Sequence, residues 1–272
     1  MANERKIFIT YGNSAYSEST LRLKKMAEEC GQFDEIIIYT EKDLPDYIIN
    51  HELMAYKRGG GYWLWKPYVT LKTLENCGDN DIVVYSDAGN EVFPHKEWNQ
   101  YWEILKHKSA IFFKFGGVME KWTRSNLLQY FIDKGVKTIR KEYQIGSGLS
   151  IYRKSALPIV KEWLDVMISH PEFVLDVTED QKSSEKKCLI ENRHDQSVLS
   201  GAVYENYKQY NAAIMWQHAA YLDPDGQAVF NARISNDARR SSTSYDKRYR
   251  IWVRKVNNLL RDLRITLIRL FS

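Results

Sequence analysis

Short apolar runs alternate with helix-length amphipathic stretches through the first half of the chain. Lys6-Ile-Phe-Ile-Thr-Tyr11 is an apolar run that ends in Gly12-Asn13, the pattern of a strand entering a turn. Leu21, Leu23, Met26 and Ala27 then recur at helical spacing from Ser17 to Glu29, and Gly31 follows as a stop signal. Glu35-Ile-Ile-Ile-Tyr39, Asp81-Ile-Val-Val-Tyr85 and Ala110-Ile-Phe-Phe-Lys-Phe115 predict three further strands, with helices near 67–76 and 96–107 between them. Strands joined by helix-length connections predict an α/β chain with a mainly parallel sheet flanked by helices.

The second half is less regular. Gln144 to Tyr152 reads as a strand broken by Gly146 and Gly148, and Ser155 opens a helix with Pro158 in its first turn. Residues 178–193 are a polar loop, and Asp195 to Tyr207 is a further helix. From Tyr245 to Phe271 the pattern changes. Trp252, Val256, Leu259, Leu263, Leu267 and Leu270 step by three or four along one face, and Arg250, Arg254, Arg261, Arg264 and Arg269 lie mostly opposite. Such a helix can pack on the body, or lie in an anionic membrane surface. The pattern divides the chain into a globular domain, 1–232, and a basic tail, 233–272.

Charge sharpens that division. From Arg233 onward there are eleven Lys or Arg against three Asp, whereas the whole chain carries only +4, so the body is mildly acidic. A nucleic-acid enzyme would place its positive charge in the main groove, so the pattern predicts an attachment device and no nucleic-acid partner. Cys30, Cys77 and Cys188 are odd in number and form no CxxC pair, so neither a zinc ribbon nor a disulfide framework is supported. The first residues lack the apolar core of a signal peptide, and no uncharged run is long enough to span a bilayer. The expected location is cytoplasmic and peripheral on the inner face of the cell membrane.

In open α/β sheets ligands collect at the carboxyl ends of the strands. Tyr11-Gly12-Asn13, Ser86-Asp87-Ala88-Gly89 and Gly146-Ser147-Gly148 meet that condition. The chain has no GxGxxG, Walker, HExxH or GxSxG motif, so dinucleotide, P-loop and hydrolase chemistry lose support. Its least ordinary segment is Gly59-Gly-Gly-Tyr-Trp-Leu-Trp-Lys-Pro67. Three glycines let backbone approach a ligand, and Lys66 at a helix start is placed to meet phosphate oxygens. The tryptophans can equally pack in the core.

With Gly61-Tyr-Trp-Leu-Trp-Lys-Pro67, Tyr85-Ser-Asp-Ala-Gly89 and His194-Asp-Gln-Ser197, the chain resembles bacterial glycosyltransferases of capsule and O-antigen synthesis. The resemblance spans about residues 5–220 and implies a GT-A-like (Rossmann-like) fold. It implies transfer of a sugar, hexosyl in the first instance, from a nucleotide-sugar donor to a saccharide or lipid-linked saccharide acceptor, next to an anionic membrane surface reached through 245–272. Tyr11, Gly12, Trp65, Lys66, Asp87, Ala88, Gly146, Ser147 and Gly148 are the expected donor-binding set. Asp87 stands in the place of an Asp-x-Asp motif whose first position is Tyr85, and the resemblance implies Mn²⁺ or Mg²⁺ on Asp87, with His218 as a further ligand. One carboxylate holds such an ion poorly. Asp195 is the expected catalytic base or donor-orienting group, with capping of its own helix as its structural role. A non-catalytic carbohydrate-binding or scaffold protein of the same fold is the alternative.

Overall fold

The computed structural model describes residues 4–216, 227–235 and 238–239, together with positions 256, 259, 260, 263 and 267. Six strands form one sheet: β1 (Lys6–Tyr11), β2 (Glu35–Tyr39), β3 (Ile82–Ser86), β4 (Ala110–Val118), β5 (Tyr143–Arg153) and β6 (Ala213–Trp216), in the order β2-β1-β3-β5-β4-β6. β1 pairs in parallel with β2 and β3, and β4 with β6, while β5 runs antiparallel to both neighbours. The mainly parallel α/β architecture is therefore as expected.

Strand alternation divides the core in two. Ile7, Ile9 and Tyr11 face one side of the sheet, where they meet α2 (Trp65–Asn76), α5 (Leu157–Ser169) and α6 (Asp195–Asn206). Phe8 faces the other side, against Leu23 and Ala27 of α1 (Ser17–Cys30) and Trp98 and Ile104 of α3 (Glu97–Leu105). Helices on both faces account for the near-continuous apolar character of β1 and β3. Helix α4 (Ser125–Asp133) packs Leu127, Leu128 and Phe131 into the first cluster.

β5 differs from its sequence reading, being one continuous strand through Gly146 and Gly148. Because it runs against its neighbours, its first half lies where β3 ends: Ser86 pairs with Leu149, and the Asp87 amide donates to the Gly148 carbonyl at 2.9 Å. The polar loop after α5 is anchored, since Glu185 pairs with buried Arg124 at 3.2 Å and accepts from the Ser125 amide at 2.7 Å. Beyond the sheet, Val229–Phe230 pairs with Glu91–Val92, and the Ile234 amide donates to the Gly89 carbonyl at 3.0 Å. The segment around Arg233 is thereby laid against the end of β3.

Candidate active site

The Gly-rich segment adopts a conformation that its sequence only hints at. Gly59, Gly60, Gly61, Tyr62 and Trp63 have consecutive positive φ values of 60°, 57°, 93°, 49° and 62°, a single left-handed turn. For non-glycine residues that geometry costs about 1–2 kcal/mol each, so three glycines lower the cost and two aromatics retain it. Local contacts offset the strain. The Tyr62 hydroxyl donates to Asp176 at 2.8 Å, the Trp63 ring stacks on His194 at 5.5 Å, and Trp65 Nε1 donates to the Gly59 carbonyl at 3.0 Å. The turn delivers the chain into α2, where Trp65 stacks on Tyr11 with ring centroids 4.0 Å apart.

Lys66, second residue of α2, is 2% exposed. Its ammonium lies 3.0 Å from Asp87, 3.3 Å from Asp195 and 3.3 Å from the Ser147 hydroxyl. Burial alone lowers the affinity of Lys66 for its proton, but the carboxylates of Asp195 and Asp87 outweigh it and hold the group above its ordinary value. Asp195 is shifted upward, first by burial and then by the charge of Asp87, with Lys66 opposing. The fully buried Tyr85 hydroxyl, pushed well up by burial, donates to Asp87 Oδ1 at 2.7 Å. Gly148 is what admits Asp87: a Cβ there would sit 2.9 Å from Asp87 Oδ2.

This cluster lies between two lobes of one cleft. The smaller, about 670 Å³, is bordered by Tyr11, Gly12, Gly59, Gly60, Trp65 and Ala88. The larger, about 820 Å³, is bordered by Lys66, Gly146, Ser147, Gly148, Asp195 and Trp216. Asp87, Asn90, Arg58, Trp63, Asn231 and Arg233 line both. Every expected donor-binding residue thus borders the cleft, as does Asp195. His218 lies outside the described residues. Asp195 is the first residue of α6 and borders the cleft with its carboxylate on Lys66, and its backbone carbonyl is held by Trp163 Nε1 at 3.0 Å.

Several cleft residues were not expected. Arg233 belongs to the basic stretch by sequence, yet the backbone pairing of Gly89 with Ile234 carries it to the cleft. Arg58, which pairs with Asp176 at 3.1 Å, precedes the left-handed turn and Trp63 ends it, so both were open to recognition by proximity alone. His194 immediately precedes Asp195 and has φ 54°, ψ −126°, a conformation that strains any residue with a Cβ.

As a cation site the described residues fit poorly. Among them no group of three His, Cys, Asp or Glu side chains is arranged to hold a metal ion. Asp87 Oδ1 already faces the Lys66 ammonium and the Tyr85 hydroxyl, and the ammonium opposes a second cation beside it. Among the described residues no helix is long and apolar enough to cross a membrane.

No family model and no curated protein sequence matches the chain. Among solved structures it is similar to a glycosyltransferase involved in glycosylation of the major capsid of PBCV-1, at TM-score 0.43 and 14% identity over 80% of this chain and 84% of that one. It is similar to the galactosyltransferase LgtC, solved with donor and acceptor sugar analogues, at TM-score 0.38 and 14% identity over 77% and 73% of the two chains. A third similarity is to the glycosyltransferase GlyE of Streptococcus pneumoniae TIGR4, at TM-score 0.44 and 11% identity, over 98% of this chain and 62% of that chain. What the cleft can do chemically rests on its own residues.

Proposed function

We propose that the chain is a nucleotide-sugar-dependent glycosyltransferase that delivers a hexose to a saccharide acceptor, lipid-linked in surface polysaccharide synthesis. The observation that carries the reading is the buried Lys66 ammonium, held by Asp87, Asp195 and Ser147 where two cleft lobes meet at the carboxyl ends of the strands. The smaller lobe, floored by the Tyr11–Trp65 stack and open glycine backbone, takes the nucleoside. The diphosphate lies at the junction, where Lys66, Arg58 and Arg233 supply positive charge. The larger lobe takes the transferred sugar and the acceptor.

In the reaction the bond from the anomeric carbon to the diphosphate oxygen breaks, and the acceptor hydroxyl oxygen bonds to that carbon and loses its proton. Lys66 and the arginines stabilise the charge developing on the leaving group. Asp195, whose proton affinity is raised by burial, receives the acceptor's proton. An Mn²⁺ or Mg²⁺ ion on Asp87 would need ligands beyond the described residues.

Leu259, Leu260, Leu263 and Leu267 are helical and 61, 55, 53 and 54% exposed. Such an apolar stripe beside the arginines of the 245–272 sequence supports a tail lying on an anionic membrane, which would put the enzyme on the inner face of the cell membrane. Release of UDP, GDP or CMP from a panel of sugar nucleotides tests the main reading. Neither release nor binding of any of them removes it, and binding without turnover leaves a carbohydrate-binding protein. Co-sedimentation with anionic vesicles, lost on deleting 245–272, tests the membrane reading.

A further inference from the structure

Three neutral side chains that line the larger lobe each bury an acceptor with no hydrogen-bond partner among the described residues, and the orientation of each is fixed by its other polar atom. Asn90 is 2% exposed, and its Nδ2 donates to the Gly148 carbonyl at 2.8 Å and to the Ser86 hydroxyl at 3.0 Å. Asn192 is 3% exposed, and its Nδ2 donates to the carbonyls of Phe173 and Leu175 at 2.9 and 3.0 Å. His194 is 4% exposed, and its Nδ1 meets the Val174 carbonyl at 2.7 Å. A carbonyl only accepts, so each amide must present NH₂ to it and the imidazole must carry its proton on Nδ1. The atoms left over, Asn90 Oδ1, Asn192 Oδ1 and His194 Nε2, are therefore acceptors, and all three lack a hydrogen-bond partner among the described residues. All three residues border the larger lobe.

A buried acceptor without a donor costs about 1–3 kcal/mol. His194 adds backbone strain at φ 54°, ψ −126°. The Asp176 carboxylate, 3.8 Å from Nε2, does not relieve it, since a carboxylate offers that nitrogen no proton. Burial, reinforced by nearby Arg58, keeps the imidazole neutral against the pull of Val174, Asp195 and Asp176. A phosphate or carboxylate ligand would present acceptors to acceptors. A ring carrying several hydroxyl donors satisfies the set.

We infer that Asn90, Asn192 and His194 form a hydroxyl-reading shell that recognises the transferred sugar in the larger lobe. The inference rests on the glycosyltransferase reading and adds the residues that select the sugar. Asn90 lines both lobes and Trp63, also shared, stacks on His194, so the shell adjoins the diphosphate junction where the donor's own sugar lies.

The test uses the full-length wild-type protein labelled with ¹⁵N-histidine, titrated with UDP-glucose, UDP-galactose, GDP-mannose, UDP and GDP. A sugar nucleotide that binds by calorimetry should shift the unprotonated Nε2 resonance of His194 toward the hydrogen-bonded position, whereas its bare nucleotide should not. His194→Asn assigns the resonance; it should weaken that sugar nucleotide about tenfold and leave the bare nucleotide within about twofold. A bound sugar nucleotide that leaves Nε2 unmoved, or an equal shift by UDP or GDP alone, overturns the shell and leaves the enzyme reading standing. Binding of none of the sugar nucleotides overturns both.

Discussion

Lys66 and Asp87 lie 3.0 Å apart, the lysine 2% exposed at its side chain and the aspartate 39% exposed on the cleft wall. The pair has a buried end and an open end. Asp195, 3.3 Å from the same ammonium, is nearly as enclosed as the lysine. The ammonium therefore does two things: it makes a buried carboxylate tolerable, and it sets positive charge beneath the proposed diphosphate position.

Removing it should be costly. Lys66→Met leaves Asp195 without its counter-charge, and breaking a buried pair in this way costs about 3–5 kcal/mol. Little of that comes from Asp87, which water already reaches. Thermal unfolding should show the loss, and adding Asp195→Asn should restore part of it. Additive single-variant effects would mean that the two groups are not coupled.

Gly148→Ala should impair turnover without unfolding the protein. The added Cβ would lie 2.9 Å from Asp87 Oδ2, so the carboxylate must shift, disturbing the contacts of its Oδ1 with Lys66 and Tyr85. Displacements on the order of 1 Å at a reacting centre cost roughly 10²-fold. Steady-state rates alongside circular dichroism check this, and wild-type turnover would disprove the proposed role of Asp87.

The left-handed turn predicts a graded pair of variants. Gly60→Ala places its Cβ in ordinary contact, 3.4 Å from Asn13 Nδ2, and should cost only the φ penalty of about 1–2 kcal/mol. Gly61→Ala would also meet Met54 Sδ at 2.3 Å and Met54 Cα at 3.0 Å, and should cost clearly more. Denaturant unfolding ranks them, and equal stabilities would contradict the turn geometry.

Stability should rise with pH on the acid side of neutrality through His194. Its folded-state proton affinity lies below the ordinary 6.5, so the unfolded chain binds more protons between the folded value and 6.5, and folding strengthens as pH climbs through that window. Asp195 has the opposite sign just above 3.8, where the folded state binds more protons and ionisation weakens it. Lys66, raised above 10.5, contributes stability that is lost only as pH climbs past that value. Unfolding free energies of wild type and His194→Asn between pH 5 and 7 isolate the first effect, which the variant should flatten.

Chelation separates two sources of charge at the leaving group. With Lys66, Arg58 and Arg233 in that role, EDTA should lower turnover less than tenfold. Complete loss, reversed by Mn²⁺, would assign the role to a cation on Asp87 with ligands beyond the described residues, His218 first among them.

The alternation of apolar runs and amphipathic stretches was enough to locate β1, β2 and β3 to within a residue, because the central β1 and β3, buried on both faces, need an unbroken apolar run, and the half-buried edge strand β2 carries three consecutive isoleucines. Gly59–Pro67, Asp87 and Asp195 were legible as chemistry because glycine runs, and charges beside apolar segments, are costly unless used. Local pattern also suggested that β5 was broken at its glycines, whereas tertiary pairing keeps it whole and spends Gly148 on the approach of Asp87.

Other features depend on contacts between distant segments, which no local pattern encodes. The reversed direction of β5 brings Ser147 beneath Lys66, and one backbone bond from Ile234 to Gly89 turns a residue of the basic stretch, Arg233, into a wall of the cleft. The unpaired acceptors of Asn90, Asn192 and His194 become visible only once their partners are counted in three dimensions. Residue order determined which elements form and which charges are available, through side-chain period and backbone preference. Which of those charges meet, and which polar atoms are left for a ligand, was decided by the packing of the sheet and its helices.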